Sequence, residues 1–247
     1  MAASIFSPAR LEALQRVLSQ VEFFLLNRAI NAAASASTNA IDRAVSDVRR
    51  AALEYMSMLG KLLHSEANAI ADKDRGPNAC SLTAAERRLV VSAYGRAVSP
   101  SLVRIVPGPG YSVVALAAFI KGNPAITIGN TIYLRWGSKL IDYKNLDRSD
   151  ESIRLILHEY SHVVQYARLG FSVFGARYAA ELARVGGDAN KLYDYKAGDN
   201  PYAKQTIEAQ AQMVGDYSVA RRHSDPANSA AARRLRSRLA GSGVYGL

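Results

Sequence analysis

The sequence predicts an α+β fold, in which a small β-hairpin or sheet packs on a buried helix and an α-helical region precedes both. Three observations carry that prediction. Residues 9–62 hold two apolar seams at helical spacing, residues 125–136 alternate around a Gly-Asn pair, and residues 150–169 are apolar on almost every face.

In chain order, Leu11, Leu14, Leu18, Val21 and Leu25 step by three and four, as one face of a helix requires. The small and polar run NAAASASTNA interrupts them. The pattern resumes with Ile41, Val45, Val48, Ala52, Tyr55, Leu59 and Leu62. Matching seams joined by small residues predict an antiparallel helical hairpin. Residues 1–75 therefore read as a separate N-terminal helical region, a delivery or regulatory element. DKDRGPNACS, residues 72–81, reads as a linker because of its Gly-Pro-Asn and its charges.

Residues 82–220 read as the main domain. Thr83 with Glu86 three residues on makes a capping box for a short helix, and PGPG at 107–110 cannot continue it. In AITIGNTIYLRW, Ile126, Ile128, Ile132 and Leu134 alternate about a Gly129-Asn130 turn, the signature of a hairpin. The next helix begins near Ser149, with Asp150 and Glu151 in its first turn, and Gly170 follows its last. Its all-round apolar character marks it as buried and central. Residues 171–196 are mixed. A later helix is expected from Asn200-Pro201 past Asp216, and residues 221–247 read as a basic C-terminal tail.

Composition narrows the function classes. At 247 residues and 49% apolar, the chain can bury a sizeable core. No run approaches the ~18–20 apolar residues of a membrane helix, so no transmembrane segment is expected. The N-terminus interleaves apolar and charged residues, so no signal peptide is expected either. A single cysteine, Cys80, excludes an internal disulfide. The net charge of +10 is spread along the chain, and its concentration after Arg221 has no interleaved aromatics or nucleic-acid motif. Nucleic acid is therefore not the expected partner.

Chemistry concentrates in RLILHEYSHVVQYARLG, residues 154–170. His158 and His162 lie four apart and project from one helix face, about 6 Å apart along the axis. Imidazoles so placed can share one zinc ion, and Glu159 beside them can take a proton from its water. Two histidines and a glutamate in a buried helix are costly unless paired or metal-bound. Only four histidines occur in the chain, and two fall here.

Zinc needs a third protein ligand if water is to take the fourth place. The extended motif with a third histidine is excluded, because Gln165 and Arg168 stand at its Gly and His places. A later carboxylate is the alternative, from Glu181, Asp188, Asp194, Asp199, Glu208 or Asp216. Glu208 is favoured as one carboxylate in an otherwise uncharged helical stretch of small residues, where Ala209 and Ala211 permit close helix approach. Asp216, about 12 Å further along that helix, cannot share a metal with it.

In this order, LTAAERRLVVSAYGRAVSPSLVRIV, AITIGNTIYL, HEYSHVVQY and NPYAKQTIEAQAQ resemble the zincin-like metallopeptidase core domain associated with bacterial contractile injection systems and related effector toxins. The resemblance spans roughly residues 82–220. It implies a zincin-like metallopeptidase fold with one Zn2+ per chain, His158, His162 and Glu208 as ligands, and Glu159 as base. The acidic residue usual in that family soon after the Asn-Pro pair is replaced here by Ala203 and Lys204.

The resulting expectation is a zinc-dependent endopeptidase acting on a protein or peptide substrate. It would be made in the bacterial cytoplasm and exported or injected into a target cell as an effector or toxin, with secretion or injection machinery or an immunity protein as partners. Thr131, Ile132 and Tyr133 are the candidates for pairing with a substrate strand. Tyr202, Tyr217 and His223 are the candidates for stabilising the oxyanion. Two other readings compete: a non-catalytic, zinc-stabilised structural or cargo protein of an injection system, and a basic nucleic-acid binder that needs no zinc. A fourth protein ligand would favour the structural reading.

Overall fold

The computed structural model of the chain describes residues 64–136 and 145–247. The two apolar seams between residues 9 and 62 lie outside them.

Four short strands form one sheet: β1 (Cys80–Ser81), β2 (Arg104–Pro107), β3 (Ala125–Ile128) and β4 (Thr131–Leu134). Their order is β1-β2-β4-β3, with β2 and β4 parallel and both outer pairs antiparallel. The expected hairpin is β3–β4, closed by Gly129 and Asn130 between the paired Ile128 and Thr131. Gly129 takes φ 56°, and a Cβ there would meet the Asn68 side-chain oxygen at 2.1 Å. Only glycine suits that turn.

Six helices accompany the sheet among the described residues: α1 (His64–Lys73), α2 (Ala84–Tyr94), α3 (Val113–Ile120), α4 (Asp150–Arg184), α5 (Ile207–Ala220) and α6 (Pro226–Leu239). Thr83 caps α2, and the reciprocal bond to Glu86 completes the capping box. Ser149 caps α4, which departs from the expected length: Gly170 breaks the helical backbone at φ 73° and ψ 167°, and the chain resumes helix to Arg184. Helix α5 begins six residues after Pro201, because that proline opens a 3-10 turn and Thr206 supplies the cap.

Helices α4 and α5 pack face to face. A Cβ on Gly215 of α5 would lie 2.7 Å from the Arg154 carbonyl of α4, so the absent side chain sets the approach. The main core lies between α2, α4, α5 and α6, and includes Val90, Ile156, Val163, Val214 and Leu239. A second core, on the hairpin side, joins Ala71, Tyr133, Tyr166, Phe171 and Ile207.

Residues 64–75, read from sequence as part of a separate N-terminal region, belong to this body. Ala71 is buried in the second core. Asn68 accepts from the Asn130 backbone N–H at 2.9 Å, and Arg75 donates to Thr131 Oγ1 at 2.6 Å. The expected linker contains β1, paired with β2. At the other end, the basic tail folds as α6 and docks: Arg238 donates to the carbonyls of Tyr195 and Asn200, and Leu239 and Val244 are buried. No helix among the described residues is long and apolar enough to cross a membrane.

Candidate metal centre

His158 and His162 sit on one face of α4, and Glu208 faces them from the first turn of α5. The two imidazole Nε2 atoms lie 3.1 Å apart, and Glu208 Oε2 is 3.1 Å from one and 3.2 Å from the other. All three residues are buried. Ligand atoms about 3.3 Å apart are what a tetrahedral zinc with bonds of ~2.0–2.1 Å requires. Two imidazole nitrogens and one carboxylate oxygen at this spacing are a suitable donor set, so the three residues could hold a metal ion.

The surroundings hold that geometry. His162 Nδ1 meets Gln165 Oε1 at 2.8 Å, and Gln165 Nε2 donates to the Ile207 carbonyl and to Gln210 Oε1, both at 3.1 Å. Phe174 presents its ring edge-on to His162, with centroids 5.9 Å apart. Glu159, also buried, accepts from Thr127 Oγ1 at 2.8 Å.

Burial disfavours charge on Glu208, but the two imidazoles outweigh it and hold the carboxyl well below its usual range. Burial likewise opposes charge on His162, yet the Glu208 carboxylate raises that imidazole to about 9. Burial pushes Glu159 up, against the pull of His158, His162 and the Thr127 hydroxyl.

The other carboxylates considered as ligands are engaged elsewhere. Glu181 accepts from Arg177 and from the Ile207 backbone N–H. Asp188 caps a 3-10 turn, Asp194 accepts from the Lys196 N–H, and Asp199 pairs with Arg234. Asp216 accepts from Arg154 and from the Tyr195 hydroxyl, each at 2.7 Å.

The three expected oxyanion donors are also placed elsewhere. Tyr217 packs edge-on against Tyr245 in the main core, His223 bonds Asp150 at 2.7 Å on the surface, and Tyr202 packs on the main core. The residue that meets the ligands instead is Tyr193. Its ring stacks on His158 with centroids 5.7 Å apart, and burial, with the Glu208 carboxylate nearby, pushes its phenol well above the usual range. It lies in a 3-10 turn (Ala189–Tyr193) inside the mixed segment after α4, where periodicity offers no signal.

The strand expected to receive substrate is a further correction. Thr131, Ile132 and Tyr133 of β4 are fully buried, and β4 is paired on both sides, to β2 and β3. The outer strand beside α4 is β3, and its Thr127 reaches Glu159.

No protein-family model and no curated protein matches the chain. A solved structure shares its fold. The chain is similar to the effector domain of Pseudomonas aeruginosa VgrG2b, at TM-score 0.50 and 24% identity, over 78% of this chain and 94% of that one. At that identity the likeness concerns the fold.

Proposed function

We propose that the protein is a zinc-dependent endopeptidase with a zincin-like arrangement of its metal helix, and that it acts as an effector of a bacterial injection system. The observation that carries the enzymatic reading is the His158–His162–Glu208 triangle with a fourth buried group, Glu159, held beside it by Thr127. Among the described residues three His or acidic side chains make up the cluster. That is the ligand number of catalytic zinc sites, whereas structural sites use four. The effector role is supported by the family resemblance of the sequence and by the fold shared with an effector domain. Delivery machinery and an immunity protein are the partners this reading implies.

Zinc at the triangle would supply a Lewis acid that polarises a peptide carbonyl and acidifies water. Glu159 takes a proton from the attacking water and returns it to the departing amine. Its raised pKa suits both halves of that exchange. Tyr193 carries a phenol that burial, and then the Glu208 carboxylate, keeps protonated, so its O–H is available to the carbonyl oxygen as negative charge develops there. The outer edge of β3 offers backbone groups to an extended peptide beside Glu159.

Metal analysis of the purified protein should give about one zinc per chain, and His158→Ala or His162→Ala should lose it. Glu159→Gln should keep zinc and fold while peptide cleavage falls about 10²–10⁴-fold. Full occupancy in both histidine variants would sink the metal site. Wild-type cleavage by Glu159→Gln would sink the mechanism, and no cleavage by wild type on a broad peptide library would favour the structural reading.

A further inference from the structure

Resting on the metal reading just given, we infer that Gln165 is a positioning residue that sets the tautomer of His162 and registers Glu208 against it. The inference starts from hydrogen-bond directions. The Ile207 backbone carbonyl can only accept, so the Gln165 group 3.1 Å from it is the NH2. The same nitrogen meets Gln210 Oε1 at 3.1 Å. That assignment is independently fixed, because the NH2 of Gln210 is committed to the carbonyls of Tyr202 and Gln205, at 3.0 and 3.3 Å. Both ends of the chain are backbone carbonyls, and both demand the same amide orientation.

Gln165 therefore turns its oxygen to His162, 2.8 Å from Nδ1. An amide oxygen cannot donate, so Nδ1 must carry the proton. In the neutral ring the lone pair is then on Nε2, the atom that faces His158 and Glu208. Metal-ligating histidines are oriented in this way by an acceptor on their other nitrogen.

An amide suits position 165 where a carboxylate would not. A glutamate there would set one carboxylate oxygen against two acceptors, the Ile207 carbonyl and Gln210 Oε1, and would add a third buried negative charge beside Glu159 and Glu208. The amide also reaches across to α5. Ile207 directly precedes Glu208, and its N–H is held from the other side by Glu181 at 2.9 Å. One side chain thus links the tautomer of one ligand to the position of the segment bearing another. In the extended motif with a third histidine this place is glycine, which can do neither.

The test uses the full chain with zinc as the probe. Gln165→Met keeps the length and loses every hydrogen bond, and Gln165→Glu keeps the acceptor and loses the donor. Zinc affinity is read by competition with a chromophoric chelator, and the His162 ring by nitrogen-15 NMR of the zinc-loaded protein. Wild type should show His162 bound through Nε2 with a slowly exchanging Nδ1 proton. Gln165→Met should bind zinc about 10–100-fold more weakly and lose that slow exchange. Gln165→Glu should keep the proton signal while losing affinity, a split that mere loss of packing would not produce. Wild-type affinity in Gln165→Met with the proton signal intact overturns the inference. If Gln165→Met does not fold, the wild-type spectrum decides, because coordination through Nδ1 overturns it as well. A wild-type protein that binds no zinc overturns the metal reading itself, a different result from zinc binding that ignores Gln165.

Discussion

Thr127 Oγ1 lies 2.8 Å from Glu159 Oε2 and 3.1 Å from the Glu159 backbone oxygen, so one hydroxyl on β3 holds both the carboxylate and the helix that carries it. The contact joins the outer strand to the proposed base. It leaves the other carboxylate oxygen of Glu159 for the proton transfer proposed above, and it favours the ionised form.

Thr127→Val keeps the shape and removes the donor. A hydrogen bond to a charged group contributes about 1.5–3 kcal/mol, so kcat/KM should fall about 10-fold or more. The sign of the pH effect follows from the same bond. Losing a contact that lowers the Glu159 pKa raises it further, so the acid limb of the pH–rate profile should move to higher pH. Thr127→Ser should restore both. An acid limb that does not move in Thr127→Val would remove Thr127 from the mechanism.

Tyr193→Phe tests the donor that the fold brings to the ligands. Removing one oxyanion donor typically costs about 10²–10³ in kcat, and zinc content should stay near wild type. Tyr217→Phe and His223→Ala should leave kcat within a few-fold, since Tyr217 packs its ring on Tyr245 and His223 bonds Asp150. Equal losses in Tyr193→Phe and Tyr217→Phe would point to packing.

What was legible in the sequence was local. The histidine pair and Glu159 fall within five residues of one helix, the Thr83–Glu86 box spans four, and the β3–β4 turn is two residues long. Glu208 stood out because its helix carries no nearby charge. What was not legible depends on the chain returning to itself. The parallel β2–β4 pairing puts β4 inside the sheet, and nothing within TIYL encodes that. Tyr193 reaches His158 from a 3-10 turn thirty-five residues further along the sequence. Gly170 reads as a helix stop but only breaks α4, because Phe171 and Phe174 continue into the second core.

Chelator-treated protein should show a pH dependence set by His162 and Glu208. The folded His162 pKa is raised from 6.5 to about 9. The stability it contributes is therefore complete below about pH 6.5 and is lost as pH rises through about 9. Glu208, depressed by the same pairing, keeps its contribution above its ordinary range and loses it only in strong acid. Melting temperature of the chelated wild type should fall between pH 7 and 9.5, and Glu208→Gln should flatten that slope. Zinc binding must displace the His162 proton, so affinity should rise with pH up to about 9. A slope unchanged in Glu208→Gln would show that the pair does not govern it.

The last prediction concerns where the folded body begins. Asn68 caps the Asn130 N–H at the hairpin turn, Ala71 fills the second core, Arg75 bonds Thr131, and the Asp74 carbonyl accepts from the Tyr111 N–H at 2.7 Å. All four precede Ser81. A protein starting at Ser81 therefore exposes part of the second core and strips the cap from the turn that joins β3 to β4. The Asn130 N–H is part-buried, so losing its partner should cost about 0.5–1.5 kcal/mol, the loss expected for Asn68→Ala in denaturant unfolding. The truncation loses that and the Ala71 and Arg75 contacts together, so it should melt well below a protein starting just before His64. Because β3 carries Thr127, Asn68→Ala should also lower kcat/KM with its zinc retained. Should the Ser81 truncation unfold at the same denaturant concentration as the longer protein, residues 64–75 are not part of the cooperative unit.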